Sequence, residues 1–229
     1  MLNVVIFGAP GSGKGTQSAK MVHRYGLHHI STGEVLRDHI ARGTKLGKVA
    51  DHYISRGQLI PDELMIDVLA DLLDNNPKAT AKGVIFDGFP RTIHQARVLS
   101  DMLAERGTKV HAVIGLEVPE DRLVDRMMSR GKETGRADDN LDTIKKRLEV
   151  YHRQTSPLKE YYVNEGKYHK VDGDGNVDRI FNDIVNHLEK VRAEEEKMMQ
   201  QEQQLKQEEH LLQQDETQLH REERRQQQG

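Results

Sequence analysis

The residues best suited to chemistry in this sequence lie near its start, in a run of glycines that contains one lysine. Residues 8–16 have the sequence Gly-Ala-Pro-Gly-Ser-Gly-Lys-Gly-Thr and follow the apolar residues 4–7. Glycines let a backbone point its N–H groups inward around an anion, and Lys14 adds a mobile positive charge. Between a strand and a helix, this pattern predicts a P-loop that cradles nucleotide phosphates. The predicted phosphate-binding residues are Gly11, Ser12, Gly13, Lys14, Gly15 and Thr16.

One position departs from the general P-loop pattern. The general form has Ser or Thr directly after the lysine, whereas here Gly15 follows the lysine and the hydroxyl comes one residue later, at Thr16. A glycine-rich turn that serves only packing is the alternative. The strand before the glycines and the helix-compatible residues 17–25 after them favour the phosphate site.

A second candidate is the carboxylate of Asp87, which ends an apolar segment and opens the run Asp-Gly-Phe-Pro-Arg. A carboxylate at the carboxyl end of a strand beside the P-loop strand suits Mg²⁺ held mostly through water, because Mg²⁺ loses its hydration shell reluctantly. An aspartate that only caps a turn is the alternative.

Four arginines gather around the glycine-bracketed residues 131–140. Two of them are four residues apart and therefore lie on one face of a predicted helix. Because their charges repel, they need an anion or a carboxylate, and Asp138 and Asp139 suit that role in the nucleotide-free protein. The charge pattern alone favours an ordinary solvated basic face. The four are Arg126, Arg130, Arg136 and Arg147.

The elements that must position these residues alternate between strands and helices. Apolar segments predicted as strands are separated by helix-patterned stretches, and this alternation indicates a parallel sheet. Ser31 with Glu34 predicts a capping box, and a proline opens each of two further helices. The predicted strands are residues 2–7, 28–30, 84–87, 110–116 and 168–171. The prolines are Pro61 and Pro119, and the predicted helix-ending glycines are Gly43, Gly57 and Gly107.

The composition excludes several classes of protein. The 229 residues include 34 basic and 37 acidic ones, with a formal net charge of −3, which provides no net basic field for nucleic acid. The chain has no cysteine, so disulfide frameworks, thiol nucleophiles and thiolate zinc sites are excluded. Its first apolar run is too short for a signal peptide or a membrane span. We predict a cytoplasmic protein without zinc, nucleic-acid or membrane partners.

The composition changes near residue 190. Residues 190–229 contain 11 Gln and no Pro. Apolar residues recur every seven positions, but the positions four further on are acidic, so each heptad lacks the second apolar residue of a coiled-coil seam. We predict one domain at 1–189 and a polar helical or disordered tail at 190–229. A solvated helix without a partner is favoured, and weak self-association or docking stays open. The apolar positions are Val191, Met198, Leu205, Leu212 and Leu219, and the acidic ones are Glu195, Glu202, Glu209 and Glu216.

Together these motifs resemble the nucleoside monophosphate kinases, and among them the adenylate kinases. Residues 8–16 match that family's Gly-x-Pro-Gly-x-Gly-Lys-Gly-Thr, and residues 130–140 match its Arg-Gly-x-x-x-Gly-Arg-x-Asp-Asp-Asn. The resemblance, which covers residues 1 to about 188, implies an α/β P-loop NTPase fold with a five-stranded parallel sheet flanked by helices. It also implies an AMP-binding insert at residues 31–60 and a short lid at 131–140. The lid has neither the length nor the thiols of relatives that hold a structural zinc.

The resemblance also implies roles for individual residues. Arg126 is implied to pack on the adenine of ATP, and Gly175 to contact that adenine through its backbone. The implied catalytic residues are Lys14, Asp87, Arg91, Arg130, Arg136 and Arg147. The implied ATP-binding residues are the phosphate-loop residues with Arg126, Arg130 and Gly175. The implied AMP-binding residues are Thr32, Arg37, Gln58, Leu59, Ile60, Gly88, Phe89, Pro90, Arg91, Gln95, Arg136 and Arg147.

The implied reaction is reversible phosphoryl transfer from MgATP to AMP by a monomer, giving two ADP and balancing the adenine nucleotides. The amide of Gln95 both donates and accepts, which suits the edge of adenine. Its position four residues after Arg91 matches adenylate kinases, whereas pyrimidine-preferring relatives have Asn in this region. A CMP/UMP kinase, and a nucleotide-binding scaffold that acts through its tail, are the alternatives.

Overall fold

The predicted strands form one parallel sheet. They are β1 (Val4–Phe7), β2 (His28–Ser31), β3 (Val84–Asp87), β4 (Ala112–Glu117) and β5 (Tyr168–Asp172). In the computed structural model, which describes residues 1–76 and 80–226 and side chains as far as residue 214, the strand order is β2-β3-β1-β4-β5. Every neighbouring pair is parallel. The predicted fold class is therefore confirmed, and β1 with the glycine-rich loop lies at the centre of the sheet.

Two predicted strand starts, at residues 2 and 110, are each two residues too early. Asn3 causes this difference, because its side chain replaces backbone ladder bonds. Its Oδ1 accepts from the Val84 backbone N at 3.1 Å, and its Nδ2 donates to the Lys109 carbonyl at 2.9 Å. Regular pairing of the central strand therefore begins only at Val4.

Helices cover the sheet and carry most of the functional side chains. A π-helical turn at Tyr151–Thr155 lies between the seventh and eighth of them. The helices of the described residues are α1 (Lys14–Tyr25), α2 (Thr32–Ala41), α3 (Lys45–Ile54), α4 (Asp62–Asp74), α5 (Ile93–Glu105), α6 (Glu120–Thr134), α7 (Leu141–Val150), α8 (Leu158–Asn164) and α9 (Val177–Gln226).

The predicted helix ends are only partly correct. The three predicted glycines do follow helix ends, with φ values of 64°, 70° and 69° for Gly43, Gly57 and Gly107. The predicted capping box is only half correct: Ser31 directly precedes the first helical residue of α2, as predicted, but its side chain accepts no capping hydrogen bond, and it still pairs with Asp87 in β2. The two prolines lie one residue before the first helical residue instead of inside the first turn. Side-chain caps come from Thr44, Thr92 and Asn140.

The predicted lid is more helical than its glycines suggest. Residues 131–134 continue α6, and the non-helical part begins at Gly135, whose φ is 66°. Position 131 lies within this helix but has no room for a side chain, because a Cβ there would approach the Asp139 carbonyl oxygen to 2.8 Å. The close packing of the returning chain explains a glycine that the sequence presented as the start of a loop.

The central strands are buried on both faces, as their continuous apolar sequence predicts. All residues of β1 and β3 are buried. A large apolar cluster includes residues of α4 and α5, and a smaller one joins Ala9 of the glycine-rich loop to α6 and α7. The carboxyl ends of β1 and β3 therefore present their polar groups from a rigid support.

The chain divides into two compact units, Met1–His187 and Leu188–Gly229. Within the second unit, Met198, Leu205 and Leu212 of the predicted heptad pattern are exposed by 49%, 60% and 64%. Glu216 and Leu219 of that pattern lie outside the residues whose side chains are described. In the described part of the chain, no helix combines the length and the apolar character that a membrane span needs.

Candidate active site

The loop after β1 closes around the ammonium group of Lys14. Gly8 has a φ of 152°, and a Cβ there would lie 2.7 Å from Ser12 Oγ and 2.8 Å from the Leu116 carbonyl oxygen, so only glycine fits. Lys14 is the first residue of α1, and its Nζ donates to the carbonyls of Gly8 at 2.8 Å and Ala9 at 3.0 Å. Burial lowers the pKa of Lys14 to about 8, although the charge of Asp87 acts in the opposite direction. A phosphate that entered this loop would stabilise the charged ammonium.

Asp87 ends β3 directly beside the P-loop strand, because it pairs with Ile6 of β1. Burial raises the pKa of Asp87, but interactions with His29 and with the charge of Lys14 outweigh burial, and the pKa lies below its ordinary value. His29 Nε2 lies 3.4 Å from Asp87 Oδ2, which is long for a hydrogen bond. His29 was not predicted to belong to the site. Its position near the carboxyl end of a strand predicted to join the same sheet could have indicated a contact with Asp87.

A cavity at this edge of the sheet brings together most of the residues predicted to bind AMP. Its lining also includes Lys14 of the P-loop. Phe89 is an exception, because it is buried in the large apolar cluster. Arg136 is not among the lining residues either. The predicted residues that do line the cavity are Thr32, Arg37, Gln58, Leu59, Ile60, Gly88, Pro90, Arg91, Gln95 and Arg147.

Arg91 is the most deeply placed arginine of this cavity. Burial lowers its pKa to about 10, and the charge of Arg147 adds to that effect. Its Nε donates to the Gly88 carbonyl at 2.7 Å, which fixes the guanidinium against the loop after β3. Gly88 has a φ of 81°, and a Cβ there would lie 3.0 Å from Arg91 Nη2. Buried like charges facing one cavity are stabilised by an anion, so the cavity suits a phosphate group.

Gln95 forms part of the cavity wall and is held from both ends. Its Oε1 accepts from the Arg91 backbone N at 2.8 Å, and its Nε2 donates to Asp62 Oδ1 at 2.8 Å. Asp62 Oδ2 accepts in turn from Thr92 Oγ1 at 2.7 Å. An amide has two N–H groups and two lone pairs on its oxygen, so one donor and one acceptor of Gln95 stay available to a ligand. The orienting role of Asp62 was not visible in the sequence.

The two aspartates of the lid hold Arg130 and Arg147, two of the four arginines for which they were predicted as partners. Arg130 makes a bidentate contact with Asp139, with distances of 2.6 and 2.8 Å. Arg147 Nη1 contacts Asp139 Oδ1 at 2.7 Å and Asp138 Oδ2 at 3.0 Å. Burial raises the pKa of Asp139, but the hydrogen bond and the charge of Arg130 outweigh it, and the pKa lies below its ordinary value. Both guanidinium groups are thus already fixed in place.

Arg37 of α2 and Arg136 of the lid lie near one another. Burial lowers the pKa of each, and in Arg37 the next largest cause is the positive charge of Arg136. The structure therefore brings a cation of the predicted AMP-binding insert close to a cation of the predicted lid. A shared anion would relieve their repulsion.

Arg126 and Gly175 lie at a second location, around the loop that follows β5. Arg126 Nη1 donates to the Gly173 carbonyl at 3.2 Å, and its Nη2 contacts Asp174 Oδ1 at 3.0 Å. Asp174 was missed as a partner, although it lies in the run Asp-Gly-Asp-Gly that drew attention to Gly175. Arg126 and Gly175, the residues predicted to contact the adenine of ATP, therefore lie on neighbouring segments.

The donors near the P-loop fit a metal ion that keeps most of its water. Within residues 1–76 and 80–226, no group of three or more His, Cys, Asp or Glu side chains is arranged to hold a metal. Asp87 supplies one carboxylate beside the loop, and Thr16 supplies a hydroxyl in the first turn of α1. This small donor set suits Mg²⁺ that arrives with a nucleotide, rather than an ion in a protein cage.

Comparisons with known proteins agree with this geometry. The family model described as "Adenylate kinase" matches residues 6–167. The chain is 60% identical over 191 residues to the adenylate kinase of Phocaeicola vulgatus, covering 83% of this chain and 100% of that protein. It is 61% identical over 191 residues to that of Bacteroides thetaiotaomicron, with the same coverage. The adenylate kinase of Porphyromonas gingivalis is 48% identical over 192 residues, covering 84% of this chain and 98% of that protein.

Proposed function

Because the chain belongs to the adenylate kinase family and is an ATP:AMP phosphotransferase, we propose that the cavity beside the P-loop is where the phosphoryl group is transferred. One observation carries this proposal. Lys14, Arg37, Arg91 and Arg147 all line one cavity, and burial lowers the pKa of the first three. Cations that are buried together need anions, and two nucleotides supply them.

The proposed reaction is direct transfer between the two nucleotides. An oxygen of the AMP phosphate bonds to the γ-phosphorus of ATP. The bond between that phosphorus and the β–γ bridging oxygen breaks, and ADP leaves with the oxygen. The attacking phosphate is already an anion, so no general base is required. Catalysis then depends on alignment and on stabilisation of the charge that spreads over the transferred group.

Asp138 and Asp139 prepare the arginines for this step. They hold Arg147, which lines the cavity, and Arg130, which shares Asp139 with it. The bidentate geometry of a guanidinium group on a carboxylate is also the geometry that it uses on a phosphate. We therefore propose that the arginines extend their contacts to the transferred group without a large search of side-chain conformations.

Selection of AMP depends on Gln95 in this account. Asp62 and the Arg91 backbone occupy one donor and one acceptor of its amide, which fixes the direction of the remaining pair. That pair suits the N1 acceptor and the exocyclic amino donor of adenine. The contact through the Arg91 backbone also places the base-reading residue beside the phosphate-binding residue.

Mg²⁺ is the proposed cofactor, bound with ATP. Asp87 would hold it, mostly through water, and the Thr16 hydroxyl is positioned to assist. When bound, the ion would neutralise charge on the phosphates of ATP. Lys14 and the arginines orient the phosphates and exclude water.

We also propose that the protein works as a cytoplasmic monomer. Lys14 of the P-loop and ten of the residues predicted to bind AMP line one cavity, so the two predicted phosphate-binding parts meet within a single chain.

The proposal is tested by comparing acceptors. We expect purified protein with MgATP to form ADP at least about 10-fold more efficiently from AMP than from CMP or UMP, measured as kcat/KM in a coupled assay. Lys14→Ala is expected to lower turnover by about 100-fold or more, which controls for contaminating kinases. Equal rates with the three acceptors would exclude the assigned role of Gln95, and unchanged turnover in Lys14→Ala would exclude this cavity.

A further inference from the structure

The turn that ends α3 is packed against α7. Gly57 occupies this turn with a φ of 70°. Its backbone N donates to the Ile54 carbonyl at 3.0 Å, and the Gln58 backbone N donates to the Tyr53 carbonyl at 3.0 Å. These crossed bonds are the Schellman arrangement of a helix end. The turn is thereby a rigid part of the insert at residues 31–60.

Gly57 leaves no room for a side chain at this contact. A Cβ there would lie 3.1 Å from the Thr143 carbonyl oxygen, from Lys146 Cβ and from Arg147 Cγ. Carbon atoms in ordinary contact are about 3.5–4.0 Å apart. A backbone oxygen and a Cβ atom are fixed to their helix and cannot rotate away. Any side chain at position 57 must therefore push α7 and the insert apart by a few tenths of an ångström.

The same helix carries Arg147 into the cavity. Its side chain is only 18% exposed and is held by Asp138 and Asp139. Its charge lowers the pKa of both Lys14 and Arg91, after burial of those groups, so it lies close to the phosphate-binding cations. The separation between the α3 turn and α7 therefore sets the position of this guanidinium relative to the insert.

We propose that Gly57 is a positioning residue for phosphoryl transfer, because its missing side chain lets the insert contact α7 and thereby places Arg147. This inference rests on the proposed function of the cavity. Gly57 does not supply a chemical group. It makes contact of the insert with α7 and placement of the arginine parts of one arrangement.

The chain contains a matched control at Gly107. This glycine has a φ of 69° and the same crossed bonds, from its own N to the Ala104 carbonyl and from the Thr108 N to the Leu103 carbonyl, both at 2.9 Å. Among the described residues, no atom outside its chain neighbours lies within 4 Å of a Cβ added there. Gly107→Ala therefore introduces the same left-handed strain without crowding a neighbour.

The first experiment compares Gly57→Ala with Gly107→Ala. We expect both variants to lose thermal stability, about 2–6 °C in Tm from the shared backbone strain, with a further loss in Gly57→Ala from crowding. Only Gly57→Ala is expected to lower kcat, by about 10-fold, with KM for ATP changed less than about twofold. Equal kcat in the two variants would overturn the proposal.

Gly57→Asn separates crowding from strain. Asn tolerates the left-handed conformation better than Ala but still carries a Cβ. We expect Tm to recover toward the wild-type value while kcat stays low. Recovery of kcat together with Tm would overturn the proposal, because strain alone would then explain the defect.

A double-mutant cycle with Arg147→Lys identifies the residue through which Gly57 acts. If the route is Arg147, Gly57→Ala should lower kcat by less than about twofold in that background. A full 10-fold loss in both backgrounds would overturn the proposal. Wild-type protein that forms no ADP from MgATP and AMP would instead refute the proposed function, so the two failures are distinguishable.

Discussion

Lys14 lies in the P-loop that follows the central strand, and its pKa is strongly shifted. Burial lowers its pKa to about 8, far below the ordinary value of 10.5. Between these two pH values the unfolded chain binds more protons than the nucleotide-free protein, so this group makes the free energy of unfolding rise with pH. In the proposed complex, ATP phosphates would favour the charged ammonium, so nucleotide binding and proton binding would be coupled.

This coupling predicts an alkaline loss of ATP binding. As pH rises above about 8, we expect kcat/KM for ATP to fall, and ATP binding to take up close to one proton at pH 9. Calorimetric titrations in two buffers with different ionisation enthalpies measure the uptake. In Lys14→Arg the side chain stays charged, so proton uptake at this position should disappear. The same uptake in wild type and Lys14→Arg would contradict the assignment.

At the scale of elements, α6 and α7 are joined through Asp139, whose side chain is fully buried between two arginines. Asp139→Asn should lower the free energy of unfolding by about 2 kcal/mol, since Arg130 loses its charged partner and Arg147 keeps only Asp138, while both guanidinium groups stay partly exposed. Urea unfolding measures this change, and Asp125→Asn, at an exposed position of α6, is the control. Equal urea midpoints in the two variants would contradict the account.

The pH dependence of this effect has a defined sign. Because the folded pKa of Asp139 lies below its ordinary value, its stabilising contribution is present above the unfolded pKa and is lost as pH falls through the folded pKa. The difference between wild type and Asp139→Asn should therefore shrink in acid, below about pH 4.

The elements show which features a sequence can predict. The P-loop, the parallel sheet and the helix-ending glycines depend on residues close together in the chain, so their patterns are local and legible. Contacts between segments far apart in the chain have no local sequence pattern. Gln95 and Asp62 are 33 residues apart, and the fit of Gly57 against α7 depends on where two helices meet. Ser31 lies at the predicted helix start, but the side-chain hydrogen bond of the predicted capping box is absent, and β2 runs directly into α2 there.

In the whole molecule, the described cavity and the polar tail are formed by different parts of the chain. The cavity is lined by residues between positions 6 and 155, and the family match ends at residue 167. We therefore expect removal of residues 193–229 to change kcat and both KM values by less than about twofold. Steady-state kinetics of the shortened and full chains measure this. A loss of turnover in a shortened chain that keeps its Tm would assign the tail a part in catalysis.

We propose that buried cations at one edge of the sheet pass a phosphoryl group directly from ATP to AMP while excluding water. The most direct test follows ATP labelled at its γ-phosphate during a single turnover, with Mg²⁺ and AMP present. We predict that the label appears in the ADP formed from AMP at least about 100-fold faster than in inorganic phosphate, and that none is bound to protein. Label that first appears on the protein, or mainly in inorganic phosphate, would contradict the claim.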